Sequence, residues 1–248
     1  MSSLWNRSVS SLLDLIYPPM CACCQSALTI EDETEASRLC ETCRDELDFW
    51  TGACCPQCGA SVGPNLERQA NCRFCRRDRF AFSQTVALGQ YKDRLRQAVL
   101  AGKEIAGEPL LGELAHCLFS IREEQLRKMQ FELVIPVPQH WRTRLRRSHN
   151  PAEVLAARMA ADLKLPVSTH VLRKVRYTPS QASLTATERR KNLRGAFRTR
   201  FSGRIRGKRI LLVDDVLTTG STAQFCAQAL KQAGATEIFV AILARGLG

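Results

Sequence analysis

Two adjacent carboxylates, Asp214 and Asp215, end an apolar run, Ile210-Leu211-Leu212-Val213. They stand directly before a loop of hydroxyls and glycine, Leu217-Thr218-Thr219-Gly220-Ser221-Thr222. An amphipathic stretch from Ala223 to Gly234 follows, so the pattern predicts a strand, a loop and a helix. The polar groups then lie at the carboxyl end of the strand, where open parallel sheets bind their ligands. Gly220 lets the backbone approach an anion, and the first N–H groups of the helix have no intrahelical acceptor. With the hydroxyls of Thr218, Thr219, Ser221 and Thr222, these donors make a cradle for one phosphate. The carboxylates would repel that phosphate. They call for hydroxyl donors or a divalent cation instead.

A phosphate beside a vicinal diol describes a ribose 5-phosphate. The stretch resembles the phosphoribosyl pyrophosphate (PRPP) motif of type I phosphoribosyltransferases: an apolar strand, Asp-Asp, then a Thr-Thr-Gly loop. The plainer alternative is a buried strand followed by a polar turn and a Thr/Ser helix cap.

Two basic segments stand where a pyrophosphate would need them. The first, Pro136-Val137-Pro138-Gln139-His140-Trp141-Arg142-Thr143-Arg144-Leu145-Arg146-Arg147, follows a predicted strand over Leu133–Val137. It leads into a helix start at Asn150-Pro151-Ala152-Glu153, with Asn150 as N-cap and Glu153 as its capping-box partner. Guanidinium groups suit a pyrophosphate, which makes Arg142, Arg146 and Arg147 candidate ligands. The second runs from Tyr177-Thr178-Pro179-Ser180-Gln181 to Phe197 and carries Arg189, Arg190, Lys191 and Arg194, with no acidic residue from Arg189 to Val213. It is placed like a mobile loop that closes over PRPP to exclude water, with Arg189 and Lys191 as candidate contacts. A solvated basic face, or a track for nucleic-acid phosphates, is the alternative for both. Lys103 is within conceivable reach of the site but reads more simply as exposed. His140 and His149 have no evident carboxylate partner in the sequence and read as surface residues.

Of 12 cysteines, all but Cys117 and Cys226 fall within residues 21–75. Cys21-x2-Cys24 and Cys40-x2-Cys43 make one set of four; Cys55-x2-Cys58 and Cys72-x2-Cys75 make a second. Each CxxC sets two thiolates on one side of a metal, and two such pairs complete a tetrahedral site of four thiolates. The spacing predicts two structural zinc ions without catalytic work; a disulfide framework or a redox dithiol is the alternative. Cys23 and Cys54, each beside a ligand, read as spare thiols, with a ligand swap as the other possibility.

The elements that must position these groups follow from periodicity. A short strand near Thr85–Leu88 is predicted, then helical spacing from Asp93 and from Leu110 to Leu126. After the helix from Asn150 to about Leu163, strands are predicted near Val171–Val175, at Arg209–Val213 and at Glu237–Leu243. Strand–helix alternation predicts a parallel sheet covered by helices. The expected organisation is an N-terminal helix and double zinc-ribbon module over 1–80, a connector over 81–130 and the ligand-binding α/β domain over 131–248. Leu12-Leu13-Asp14-Leu15-Ile16 suggests a short amphipathic helix without a signal-peptide cleavage site. No apolar run approaches the roughly 20 residues of a spanning helix. Cysteine usage of this kind points to the cytoplasm. A formal net charge of +12 favours polyanionic partners but does not choose among them.

Taken together, the chain resembles the ComF family (ComF/GntX) of competence-associated proteins. The resemblance rests on Leu12-Leu13-Asp14-Leu15-Ile16-Tyr17-Pro18-Pro19 before the first cysteine, the paired CxxC sets, and Pro136-Val137-Pro138. It extends to Thr178-Pro179-Ser180-Gln181 with Arg189, Asn192, Gly195, Ala196 and Phe197, and to the PRPP motif. Two departures stand out: Gly102-Lys103-Glu104 in place of a lysine, an aromatic and glycine, and Ser148-His149-Asn150-Pro151 in place of Gly-Phe-Asn-Gln. The resemblance implies a type I phosphoribosyltransferase-like domain with a zinc-ribbon module, handling incoming single-stranded DNA during natural transformation. Asp214 and Asp215 are then the catalytic candidates, with Mg²⁺ accompanying PRPP. The competing expectation is a non-enzymatic single-stranded-DNA-binding adaptor that meets other competence proteins, its nucleotide site vestigial or regulatory.

Overall fold

The computed structural model describes residues 18–28, 37–62, 72–76, 78–145, 149–178 and 186–247. The amphipathic helix expected around Leu12–Ile16 lies outside the described residues.

Four parallel strands form the central sheet: β1 (Gln84–Gln90), β2 (Leu133–Pro136), β5 (Arg209–Leu217) and β6 (Glu237–Arg245), in the order β1-β6-β5-β2. Their side chains alternate between two cores, as the pleat requires. Ile210 and Leu212 of β5 enter one core with Ile135, Val240 and Ile242. Leu211 and Val213 enter the other with Val134, Phe239 and Ala241. Both faces being covered, these strands read as near-continuous apolar runs rather than alternating ones.

On the second of these faces lie α2 (Asp93–Ala101), α3 (Glu108–Lys128) and α5 (Pro151–Leu163). On the other lies α7 (Ser221–Gln232), beside a two-stranded antiparallel sheet of β3 (Leu172–Lys174) and β4 (Phe197–Thr199). This part of the chain also has two short helices, α4 (Trp141–Arg144) and α6 (Ala186–Leu193), and a 3-10 turn at Ser202–Arg204. The sheet includes the strand expected near Thr85–Leu88, which pairs along β6 from Gln84 to Gln90.

Three local expectations need revision. The strand near Val171–Val175 exists but does not join the parallel sheet; Arg173 pairs with Arg198 in the small antiparallel sheet. Its short buried–exposed–intermediate pattern fits a strand with one wet face rather than a doubly covered one. Its partner β4 is not marked by the sequence pattern. The helix after the hydroxyl loop begins at Ser221 rather than Ala223, so Ser221 and Thr222 form its first turn.

The cysteine-rich part divides between two cores. Cys21, Leu39, Cys43 and Leu47, the last three on or beside α1 (Glu41–Glu46), join the core under α3. Cys55, Cys58, Ala60 and Cys75 form a small core of their own. Among the described residues no helix is long and apolar enough to cross a membrane.

Candidate functional site

The carboxyl end of β5 carries the two aspartates, and the chain turns through Thr218 and Thr219 into α7. Gly220 caps that helix with φ 72°, a conformation L side chains rarely adopt, and no side chain fills the cap. The first turn, whose N–H groups have no intrahelical acceptor, borders a small cleft lined by Asp214 and by residues 216–223. Thr219 Oγ1 and Ser221 Oγ lie 2.9 Å apart, and the Ser221 N–H donates to Thr219 Oγ1 at 3.4 Å. Hydroxyls and helix N–H groups thus converge, as an anion requires.

Each carboxylate is held by the next peptide. The Asp215 N–H donates to Asp214 Oδ1 at 3.0 Å, and the Val216 N–H donates to Asp215 Oδ1 at 2.8 Å. Burial, and next the charge of Asp215, hold the Asp214 carboxyl well above the ordinary carboxylate range. Behind it, burial first and then the Asp214 charge raise the Cys226 thiol, while burial lowers the Lys174 ammonium.

Arg245, at the end of β6 opposite Leu217, is buried, and its Nη1 donates to the carbonyls of Leu217, Thr218 and Gly246. This guanidinium pins the start of the loop. The sequence signal that could have found it is an arginine ending the apolar run Ile238–Ala244.

Lys103 does reach the site. Its Nζ lies 2.5 Å from Asp215 Oδ2, with side-chain exposures of 20% and 19%, so the pair is far less screened than a surface one. The turn that carries it is tied to the first basic loop: the buried His149 places Nε2 2.9 Å from the Gly102 carbonyl and Nδ1 3.6 Å from Glu108. His140 is buried too, against Trp141 and Tyr177. Neither histidine is a surface residue, because the loop after β2 folds back over its own strand and the connector.

The basic candidates are placed unequally. Arg142 lies over two aromatic rings, 5.3 Å from the Trp141 centroid and 5.8 Å from that of Tyr177. Arg146 and Arg147 lie outside the described residues. Arg189 falls on α6, its side chain outside the description, and Lys191 is exposed on the same helix. Asn150 caps α5 as expected, accepting from the Ala152 N–H at 3.2 Å. Glu153 takes the Asn150 side-chain amide and the Arg144 guanidinium.

The cysteines gather as two sets, Cys21, Cys24, Cys40 and Cys43, and Cys55, Cys58, Cys72 and Cys75, with all four sulfurs of each set within 4.8 Å of one another. The close pairs Cys24–Cys40, Cys55–Cys75 and Cys58–Cys72 are each 3.7 Å apart. A tetrahedral zinc with bonds of about 2.3 Å sets its sulfurs roughly 3.8 Å apart, so both sets fit zinc with no position left open. Cys54 accepts instead from Arg122 at 3.2 Å, and Cys117 and Cys226 are buried and belong to neither set. The second set bears directly on the phosphate cradle. Phe80 packs against the small core of Cys55, Cys58, Ala60 and Cys75, stacks on Phe82 at 4.5 Å, and lies against Gly220. The next peptide, Ala81, donates to Gln224 Oε1 of α7 at 2.5 Å.

Residues 12–76 match the family described as Double zinc ribbon domain, and residues 146–247 match Phosphoribosyl transferase domain. "Competence protein F" of Haemophilus influenzae is 30% identical over 212 residues, covering 84% of this chain and 90% of the relative. "DNA utilization protein YhgH" of Salmonella typhi is 28% identical over 239 residues, covering 94% of this chain and 100% of the relative. Among solved structures, the glutamine PRPP amidotransferase of B. subtilis, complexed with ADP and GMP, has a TM-score of 0.37 at 20% identity, over 58% of this chain and 30% of that one. A double zinc ribbon ahead of a phosphoribosyl transferase domain, in a chain matching Competence protein F over nearly all of that relative's length, places this protein in the ComF family.

Proposed function

We propose that the chain binds PRPP with Mg²⁺ and acts as a phosphoribosyltransferase-like protein in the uptake and use of DNA during natural transformation, in the cytoplasm. The observation that carries the ligand is the carboxylate pair one loop away from an open helix N-terminus. The 5-phosphate sits on Thr218, Thr219, Gly220, Ser221 and Thr222, and the ribose hydroxyls donate to Asp214 and Asp215. Arg142, Arg146 and Arg147 hold the pyrophosphate, and Arg189 and Lys191 close over it. The leaving group is displaced at the anomeric carbon by an acceptor. The protein contributes positioning and charge stabilisation without a nucleophile of its own. Among the described residues, the only groups of three or more metal-capable side chains are the two cysteine sets. Mg²⁺ bound together with PRPP would supply charge neutralisation at the pyrophosphate, in keeping with its preference for phosphate oxygens and water. The setting is supported by the names of the relatives, competence and DNA utilization.

Isothermal titration of zinc-loaded protein with PRPP and Mg²⁺ tests the reading, and an absence of heat would remove it. Pyrophosphate release on adding nucleobases or oligonucleotides tests transfer.

A second reading is a single-stranded-DNA-binding adaptor working with other competence proteins. It is favoured by the exposed Trp141 and Tyr177, at 60% and 40%, with Arg142 over both rings. Bases stack on such faces while cations meet phosphates. It predicts oligonucleotide affinity that falls steeply with salt and survives Asp214→Asn/Asp215→Asn. Loss of transformation in a double variant that still binds DNA would refute it.

A further inference from the structure

We infer that Lys103 is a ligand-exchange residue of this site, holding Asp215 while the ribose position is empty and turning to the pyrophosphate when PRPP enters. The inference rests on the ligand proposed above. Both Asp215 oxygens are engaged, Oδ1 by the Val216 N–H at 2.8 Å and Oδ2 by Lys103 at 2.5 Å. A ribose hydroxyl donating to Asp215 competes directly with the ammonium. The same ligand brings in a strongly anionic group, so the displaced cation gains a partner as it loses one. Lysine suits this exchange: a compact charge on a flexible four-carbon stem can swing, where a planar guanidinium fork is committed to one geometry.

The backbone under Lys103 is fixed. A Cβ at Gly102 would lie 2.5 Å from Leu111 Cδ2, and one at Gly107 would lie 2.4 Å from the Ala101 carbonyl, so the turn packs tightly on α2 and α3. The His149 ring holds the Gly102 carbonyl at 2.9 Å, and His149 directly precedes the Asn150 cap. The turn bearing Lys103 and the end of the basic loop after β2 are therefore joined by a buried hydrogen bond. Movement is left to the lysine side chain, whose ammonium now stands on Asp215.

The two halves of the ligand separate the roles. Zinc-loaded wild type, Lys103→Met and Lys103→Arg are titrated with PRPP plus Mg²⁺ and with ribose 5-phosphate, which lacks the pyrophosphate. Lys103→Met is expected to bind PRPP about 10- to 100-fold more weakly, the loss of one charge-assisted hydrogen bond. Its affinity for ribose 5-phosphate is unchanged or higher, because Asp215 is released. Lys103→Arg, which keeps the charge, falls between wild type and Lys103→Met for PRPP. Melting temperatures check that the variants are folded. Equal weakening of both ligands, or no change for PRPP in Lys103→Met, overturns the assignment and leaves the PRPP reading standing. Wild type that binds neither ligand overturns both.

Discussion

The Phe80 ring lies directly under Gly220: a Cβ added to that glycine would come 2.7 Å from the ring. The ring also packs against the small core around Cys55, Cys58 and Cys75, so it links the second ribbon to the floor of the phosphate cradle. Gly220 is therefore constrained twice, by its φ of 72° and by this contact.

Gly220→Ala is expected to lose about 1–2 kcal/mol from backbone strain alone, and to displace Phe80. Phe80→Ala should leave the backbone unstrained yet loosen the cradle. Urea denaturation and titration with ribose 5-phosphate measure the two effects. Unchanged phosphate affinity in Phe80→Ala would show that the ring is no floor.

Loss of zinc should separate the two cysteine sets. Cys58→Ser removes a ligand beside Phe80 and should weaken ribose phosphate binding. Cys43→Ser, in the core with Leu39 and Leu47, should cost stability with less effect on affinity. Metal content, melting temperature and titration on the same samples check this. Equal loss of affinity in both variants would count against a special role for the second set.

The raised pKa of Asp214 has consequences of opposite sign for stability and binding. Between the ordinary carboxylate value and the raised one, the folded protein binds the proton and the unfolded chain does not. Stability contributed by this group therefore falls as pH rises through that window. Ribose hydroxyls donate to the ionised form, so ligand affinity rises over the same range. Asp214→Asn should flatten both profiles. Denaturation midpoints and Kd values taken from acid to neutral pH measure them, and a profile identical in wild type and variant would disprove the link.

Asn150 is buried and serves two elements, capping α5 and donating Nδ2 to the Val137 carbonyl at 3.2 Å. Asn150→Ala is expected to cost about 1–2 kcal/mol by urea denaturation. Asn150→Asp keeps the cap oxygen and loses the donor, and should fall between. An Asp variant as weak as Ala would assign the whole effect to the Val137 bond.

Features set by neighbours along the chain were legible in residue order. The paired CxxC spacing, the Asp214-Asp215 pair before a Thr-Gly loop, and the Asn150-Pro151 helix start each depend on residues a few positions apart, and local geometry follows from them directly. The alternation of apolar runs and helical spacing is likewise enough to expect a covered parallel sheet. The contacts that join these pieces come from the packing of distant segments. Arg245 meets the Leu217 carbonyl because β6 lies beside β5 in the order β1-β6-β5-β2, while Lys103 meets Asp215 and Phe80 meets Gly220 through turns and loops far from them in the chain. The same holds for β3, which reads as one more sheet strand until β4 arrives to pair with it, and for His149, whose buried partner lies on the far side of α3 in the chain. Periodicity reports how much of a residue is covered. It carries no information about which distant residue does the covering, and at this site that choice sets the charge, the floor and the reach of the cradle.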